Sequence, residues 1–313
     1  MQIVFLGSGA FGLPTLEAMA REHTISAVVT QPDRRAGRGG NATPTPVGVW
    51  AREHLAGTPV LKPENVNEPE TRDAIRSIPC DAWVVIAFGQ YLGSTLLSDR
   101  FAINLHASVL PRWRGAAPIH AAIINGDAAT GNSVITIERE MDAGDILARS
   151  ERLIEPDQTA GMLHDALAKD GPELVLSVLD RRARGVLEPR PQDPDLVTLA
   201  PKISRDDAWV DFHDTAFMCA RRINALSPWP GAGVGHRGET LKLVRAQPGD
   251  PDPQPPSEDP GTIADAARGV IACADGFIEL LDVQPPGKRA MPWRDYANGR
   301  SVRRGETLSG YAP

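Results

Sequence analysis

The chain has 313 residues, 42% hydrophobic and 23% charged, the make-up of a globular protein with room for two domains, which excludes a disordered one. Its 33 Lys and Arg against 40 Asp and Glu give a net charge of −7, which excludes wholesale coating of nucleic acid and leaves room for a local basic face. No apolar run reaches the roughly 18 residues of a membrane span, no basic leader precedes residues 2–6, and Cys80, Cys219 and Cys273 lie too far apart for a disulfide framework or a cysteine zinc site. A soluble protein of the cytoplasm, with no membrane contact, is expected.

In chain order, residues 2–6 (QIVFL) predict a buried strand and 7–12 (GSGAFG) a turn. Residues 14–22 predict a helix, with Pro14 in its first turn and Leu16 and Met19 three apart. Apolar runs at 25–30, 81–88 and 101–105 predict further strands, with helical stretches between the second and third. Strands without clean alternation, separated by helices, indicate an α/β domain built on a parallel sheet covered on both faces. A strand at 132–138 and a long helix at 159–184 complete it, giving a first domain over 1–187. The stretch 188–202 (EPRPQDPDLVTLAPK) holds four prolines and no periodicity, so 188–204 reads as an extended linker. Short apolar pieces at 209–212, 241–244, 269–272 and 277–281, parted by Gly- and Pro-rich turns, predict a small antiparallel barrel over 205–313. Within it, 247–261 is acidic, proline-dense and expected to be an exposed loop.

Gly7, Gly9 and Gly12 match G-x-G-x-x-G between a strand and a helix, and Asp33 follows at about the interval of a ribose-binding acid. Two readings compete: a nicotinamide-dinucleotide site, or a tight strand-to-helix turn that needs glycines for its own sake. Asp33 comes after Gln31-Pro32, past the strand end, which favours the second, and no NAD is expected.

The densest chemistry lies in 103–126 (INLHASVLPRWRGAAPIHAAIING). Asn104 and His106 alternate at the end of a strand and so share a side. An open parallel sheet binds ligands beyond the carboxyl ends of its strands, where this pair stands. Downstream, Met141-Asp142-Ala143-Gly144-Asp145-Ile146 puts a carboxylate in a glycine-containing turn. An amide donor, an imidazole and a carboxylate suit acyl-type transfer: two groups stabilise an oxyanion and the third moves protons. No serine or cysteine elbow is present, which favours direct attack by a substrate amine. An Asn-x-His pair and an Asp-Ala-Gly turn are each common as structural features. His23, His54, His120, His164, His213 and His236 belong to no motif, and no metal site is expected.

Taken together, 104–119 (NLHASVLPRWRGAAPI) and 141–146 (MDAGDI) resemble the signature of the 10-formyltetrahydrofolate-dependent formyltransferases. Residues 31–39 with 44–47, 200–204 (APKIS), 227–232 (SPWPGA) and 284–291 (QPPGKRAM) are similar to the branch that acts on methionyl-tRNA. The resemblance spans nearly the whole chain. It implies a Rossmann-like catalytic domain, a linker and an OB-like C-terminal barrel that contacts tRNA. The implied reaction carries the formyl group of 10-formyltetrahydrofolate to the α-amine of methionine on initiator tRNA. By motif, Asn104, His106 and Asp142 become catalytic: Asn104 and His106 hold the oxyanion and Asp142 relays the amine proton. Phe88, Gly89, Gln90 and Tyr91 would line the pterin pocket, and Ser108, Val109, Leu110 and Pro111 would flank the folate. The partners implied are initiator methionyl-tRNA and folate, met by a monomer. The rivals are an amino-sugar nucleotide as acceptor, hydrolysis of the folate by water, a dehydrogenase, and a non-catalytic RNA-binding module.

The loop 31–49 departs from the pattern. Such loops usually carry several lysines after Gly-Arg-Gly, whereas this one reads Gly39-Gly40-Asn41-Ala42-Thr43 and has Gly48 at another frequent lysine position. Arg34, Arg35 and Arg38 remain, with Arg38 the candidate for wedging against the acceptor end, so a shallow salt dependence is expected. From 206 to 313 there are 12 basic against 15 acidic residues, yet 288–313 holds six basic residues (Lys288, Arg289, Arg294, Arg300, Arg303, Arg304) against two acidic. That asymmetry points to a local RNA-backbone face.

Overall fold

A run of apolar residues that does not alternate can be sheltered only in a sheet covered on both sides, and Gln2–Gly7 (β1) is buried at every position after the first. The computed structural model describes residues 1–35, 42–249 and 256–310. The other strands of this sheet are Thr24–Val29 (β2), Val60–Leu61 (β3), Ala82–Ile86 (β4), Ala102–His106 (β5), Ala129–Thr136 (β6) and Ile146–Leu153 (β7). Their order is β7-β6-β5-β4-β1-β2-β3. The five strands from β5 to β3 run parallel, and β6 runs antiparallel to β5, pairing Asn104 with Ile135 and His106 with Ser133. Leu13–Glu22 (α1), Pro46–His54 (α2) and Pro69–Arg76 (α3) make the crossovers. The expected parallel sheet therefore carries an antiparallel edge, and the strand expected at 132–138 begins earlier and is answered by β7. The long helix runs close over the site-bearing strand, since a Cβ on Gly171 would lie 2.7 Å from Leu105 Cδ2.

The glycine fingerprint has a packing cause. A Cβ on Gly7 would lie 2.5 Å from the Phe5 ring and 2.8 Å from the Ile86 carbonyl, and one on Gly12 would lie 3.1 Å from Phe5 and 3.3 Å from Ile86. The turn is glycine-rich because helix and strands close on it, and the Asp33 carboxylate pairs with Lys62.

Two compact units divide the chain. One comprises Met1–Gly115, Gly131–Arg152 and His164–Leu199; the other Ala116–Thr130, Leu153–Leu163 and Ala200–Pro313. The second unit includes Pro118–Asn125 (α4), and the long helix Ala160–Ala183 (α5) begins in it. Its barrel is laid out by Ala216–Ala225 (α6), Ala232–His236 (β8), Glu239–Pro248 (β9), Ile263–Asp265 (β10), Val270–Ala272 (β11), Phe277–Gln284 (β12), Trp293–Arg300 (α7) and Ser309–Gly310 (β13). The strand order is β10-β11-β12-β9-β8-β13. The two edges are drawn together by hydrogen bonds from Ile263 N to Glu306 O (2.8 Å), Gly305 N to Ile263 O (2.9 Å) and Leu308 N to Gly261 O (2.8 Å). That gives the antiparallel, OB-like barrel expected. The strand expected at 209–212 is reduced to a one-residue bridge between Trp209 and Gly233, because the Asp211 carboxylate accepts from His213 N at 2.9 Å and turns the chain.

The seam where the barrel closes is polar. His236, 3% exposed, meets Tyr296 Oη through Nδ1 at 2.7 Å and Glu306 Oε2 through Nε2 at 3.0 Å, and Arg237 Nε donates to Glu306 Oε2 at 2.7 Å. Arg237, and after it the hydrogen bond from His236, holds the Glu306 carboxyl down to about 2 from its ordinary 4.5. A carboxylate with a depressed folded-state value stabilises the fold fully above 4.5, and that contribution fades as pH falls toward 2. Glu306→Gln is therefore expected to melt below the unsubstituted protein at neutral pH, with the gap closing as the pH is lowered toward 2. Thermal melts over that range check it, and a gap independent of pH would reject the ion-pair account.

Candidate active site

The site lies at the carboxyl ends of β4 and β5, where the parallel strands stop and their loops begin. Asn104 is half-buried and His106 is 6% exposed, both on β5. Asp142 arrives from the loop joining β6 to β7. Its Oδ1 lies 3.4 Å from Asn104 Nδ2, its Oδ2 lies 3.6 Å from His106 Nδ1, and Gly115 N donates to Oδ2 at 2.9 Å. The structure thus gathers the three residues picked out by motif. The Asp142–His106 separation is that of an ion pair, too long for a direct hydrogen bond.

The imidazole has a defined sense. His106 Nε2 lies 2.9 Å from the Trp113 carbonyl oxygen, which can only accept, so Nε2 carries a hydrogen and donates it there. Nδ1 is left as the nitrogen that gains or loses a proton, and it faces Asp142. Three non-glycine residues around the site adopt left-handed backbone: Ala87 (φ 47°) after β4, Trp113 (φ 64°) and Asp142 (φ 55°). Such conformations cost about 1–3 kcal/mol each and persist where surrounding bonds hold them. Gly144 allows a close approach, since a Cβ there would lie 1.8 Å from the Thr136 carbonyl oxygen.

The segment 88–91 follows the strand that neighbours Asn104. Phe88 is buried, and its carbonyl accepts from Ser8 Oγ at 3.0 Å and Gln31 Nε2 at 3.2 Å. Gly89 has φ 82°, and the Gln90 amide bridges Val66 N (2.9 Å) and Pro63 O (3.0 Å). Tyr91 is 56% exposed, and its hydroxyl donates to Arg139 O at 3.3 Å, joining this segment to the Asp142 loop. Ser108, Leu110 and Pro111 are buried and Val109 half-buried. Ser108 Oγ donates to Arg112 O (2.6 Å), Leu110 N to Ser133 Oγ (3.0 Å), and the Leu110 carbonyl accepts from Arg149 (3.0 Å). Among the described residues, no group of three or more His, Cys, Asp or Glu is placed to hold a metal ion, and no helix is long and apolar enough to cross a membrane.

The basic residues named from the sequence do not form one free cluster. Arg34 pairs with Glu64 at 3.1 Å, Arg35 pairs through its backbone with Ala42, and Arg38 lies outside the described residues. Arg300 is tied to Glu239 (3.1 Å) and Arg304 to Glu258 (2.8 Å), and the Arg303 backbone N–H donates to Glu306 at 2.9 Å. Lys288 and Arg289 sit exposed in the turn before α7, and Arg294 in its first turn. Sequence reasoning passed over Gln192 and Thr198, whose side chains bond the loops carrying Asp142 and Trp113. Neither a spacing nor a periodicity marks them.

Residues 1–179 match the model of the formyl transferase family and 202–301 that of the formyl transferase C-terminal domain. The chain is 41% identical to a methionyl-tRNA formyltransferase of Methylococcus capsulatus over 306 residues, covering 96% of this chain and 98% of the relative. It is also 41% identical to the enzyme of that name from Thermobifida fusca over 310 residues, covering 98% of each. Among solved structures, an N-formyltransferase from Helicobacter canadensis with folinic acid and dTDP-3-aminofucose superposes with TM-score 0.67 at 16% identity, over 89% of this chain and 98% of that one. HypX from Aquifex aeolicus in complex with tetrahydrofolic acid gives TM-score 0.64 at 17% identity, over 100% of this chain and 51% of that one. These two share the fold.

Proposed function

The chain belongs to the formyl transferase family, and from that membership we propose that it transfers the formyl group of 10-formyltetrahydrofolate to the α-amine of methionine on initiator tRNA. The observation that carries the mechanism is the convergence of Asn104, His106 and Asp142 on one point at the end of β5. The folate supplies an electrophilic formyl carbon. Asn104 uses one amide hydrogen on Asp142 and keeps the other for the formyl oxygen as charge builds there. His106, its Nε2 already committed to Trp113, offers an Nδ1 proton in its charged form. Asp142 stabilises that charged form and accepts the proton that the attacking amine sheds; collapse of the tetrahedral adduct then breaks the bond from the formyl carbon to the folate nitrogen, which takes up a proton and leaves as tetrahydrofolate. The turn 88–91 takes the pterin through main-chain groups, and 108–111 flanks the folate from the β5 side. Domains 1–187 and 205–313 divide catalysis from RNA contact, in a cytoplasmic monomer.

Formyl transfer to methionyl-initiator tRNA, followed with labelled donor, tests the reading. Transfer to a nucleotide-linked amino sugar instead, or folate turnover without an acceptor, would overturn it. Tied basic residues contribute less to RNA than untied ones, so Lys288, Arg289 and Arg294, which pair with no carboxylate among the described residues, carry more of the phosphate contact than Arg300 or Arg304. The double variant Lys288→Glu with Arg289→Glu is expected to weaken tRNA binding at low salt and reduce the slope of log affinity against log salt by about two, roughly one per lost contact. Filter binding over a salt series checks this, and an unchanged slope would move the RNA face elsewhere.

A further inference from the structure

We infer that the segment 190–198, within the stretch that sequence alone reads as a plain linker, is a positioning strap that sets both His106 and Asp142; the inference rests on the formyl-transfer reading of the site. The strap is anchored by a two-way backbone exchange, Ile146 N to Arg190 O at 2.7 Å and Arg190 N to Ile146 O at 3.0 Å, at the first residue of β7 and four residues beyond Asp142. Gln192 then turns its amide onto the Asp142 loop. Its Nε2 donates to the carbonyls of Asp142 (2.7 Å) and Gly144 (2.8 Å), and its Oε1 accepts from Arg114 Nε at 3.0 Å. Both amide hydrogens and the oxygen are engaged, so the side chain cannot rotate without breaking three bonds. Arg114 is itself 9% exposed and balanced by Glu140 at 3.4 Å. The loop that Gln192 grips is the one whose Asp142 sits at φ 55°, a conformation that needs outside support.

Six residues on, Thr198 holds the other half. Its Oγ1 accepts from Trp113 N at 2.9 Å and its carbonyl from Arg114 N at 2.9 Å, while its N–H donates to Pro111 O at 3.4 Å. Trp113, at φ 64°, is the residue whose carbonyl fixes the hydrogen on His106 Nε2. One strap residue therefore stands behind the carboxylate and another behind the imidazole. Neither touches the reacting atoms, so both are positioning residues. Supporting shells of this kind typically change activity by about 10-fold to 100-fold when broken.

Two substitutions keep shape and remove the bond. Gln192→Glu puts an oxygen where the amide donates to two carbonyls, and Thr198→Val removes the hydroxyl that accepts from Trp113 N–H. Each is expected to lower kcat about 10-fold to 100-fold with KM for both substrates within about twofold. Each is also expected to shift the pH profile of kcat, which a purely structural defect would leave in place. In an Asp142→Asn background, Gln192→Glu is expected to cost little more, because the group it positions is already disabled. An unchanged kcat and pH profile in Gln192→Glu, or losses that multiply with Asp142→Asn, would overturn the strap. A second readout is independent of the acceptor: the imidazole nitrogen resonances of His106 are expected to report the Nε2-protonated tautomer and to move in both variants. Identical His106 nitrogen resonances in all three proteins would reject the strap, whereas absence of transfer by the unsubstituted protein would reject only the assigned reaction.

Discussion

Asn104→Ala is expected to lower kcat for formyl transfer about 100-fold to 1,000-fold, the usual consequence of losing one oxyanion donor, with little change in thermal stability. The separation of the two effects follows from what the side chain touches. Asn104 is half-buried, and its hydrogen bond to Asp142 Oδ1 is long at 3.4 Å, so the fold loses little when the amide is removed. On the proposed mechanism, the transition state loses a donor aimed at the oxygen where negative charge collects. The pH dependence should persist, because His106 and Asp142 both remain and keep their bonds to Trp113 O and Gly115 N. Single-turnover rates with saturating donor, beside a melting curve, check it. A variant that keeps more than about a tenth of the rate would remove Asn104 from the catalytic group.

Gly144→Ala is expected to do the opposite, damaging stability and rate together. An added methyl would lie 1.8 Å from the Thr136 carbonyl oxygen, 2.5 Å from its carbon and 2.7 Å from its hydroxyl. None of these can swing aside, because Thr136 N donates to Asp145 O at 2.9 Å and Thr136 Oγ1 accepts from Asp145 N at 2.8 Å. The loop must move as a body, and Asp142 moves with it. Overpacking of this kind costs about 1–3 kcal/mol or more, and displacement of a catalytic group by about 1 Å can cost 100-fold in rate. Gly299→Ala in α7 is the control: a Cβ there meets nothing within 4 Å, and it is expected to be neutral or mildly stabilising. Denaturant unfolding and initial rates on both variants check the pair.

Much of this architecture was legible in the sequence, for physical reasons. β1 after its first residue and β4 throughout are continuous apolar runs because the sheet covers them on both faces, and such runs survive inspection without any partner in view. β7 (ILARSERL) lies on the sheet edge, alternates between half-buried and exposed after its first two residues, and carries Arg149 and Arg152, so it reads as polar surface. The helices α6 and α7 are short and lie among proline-rich turns that suggest strands. Asn104, His106 and Asp142, which converge at the end of β5, are legible because they lie in two compact segments at the ends of strands. Gln192 and Thr198 are not, because their meaning comes wholly from contacts with residues about 50 and 85 positions away. An extended proline-bearing stretch looks the same whether it hangs free or grips a loop.

The discontinuity of the two units constrains any attempt to exchange acceptor specificity between relatives by splicing. The chain contributes Ala116–Thr130 and Leu153–Leu163 to the C-terminal unit before it leaves the catalytic unit at Leu199. A crossover at 187 would give the recipient a foreign strap, and with it someone else's grip on Asp142. A crossover after 199 keeps the strap but breaks the C-terminal unit internally. There, a Cβ on Gly126 would lie 2.0 Å from the Arg221 guanidinium, and one on Gly161 would lie 2.8 Å from Pro228, so each partner must come from the same parent. A chimera that works would carry three segments from one parent and three from the other.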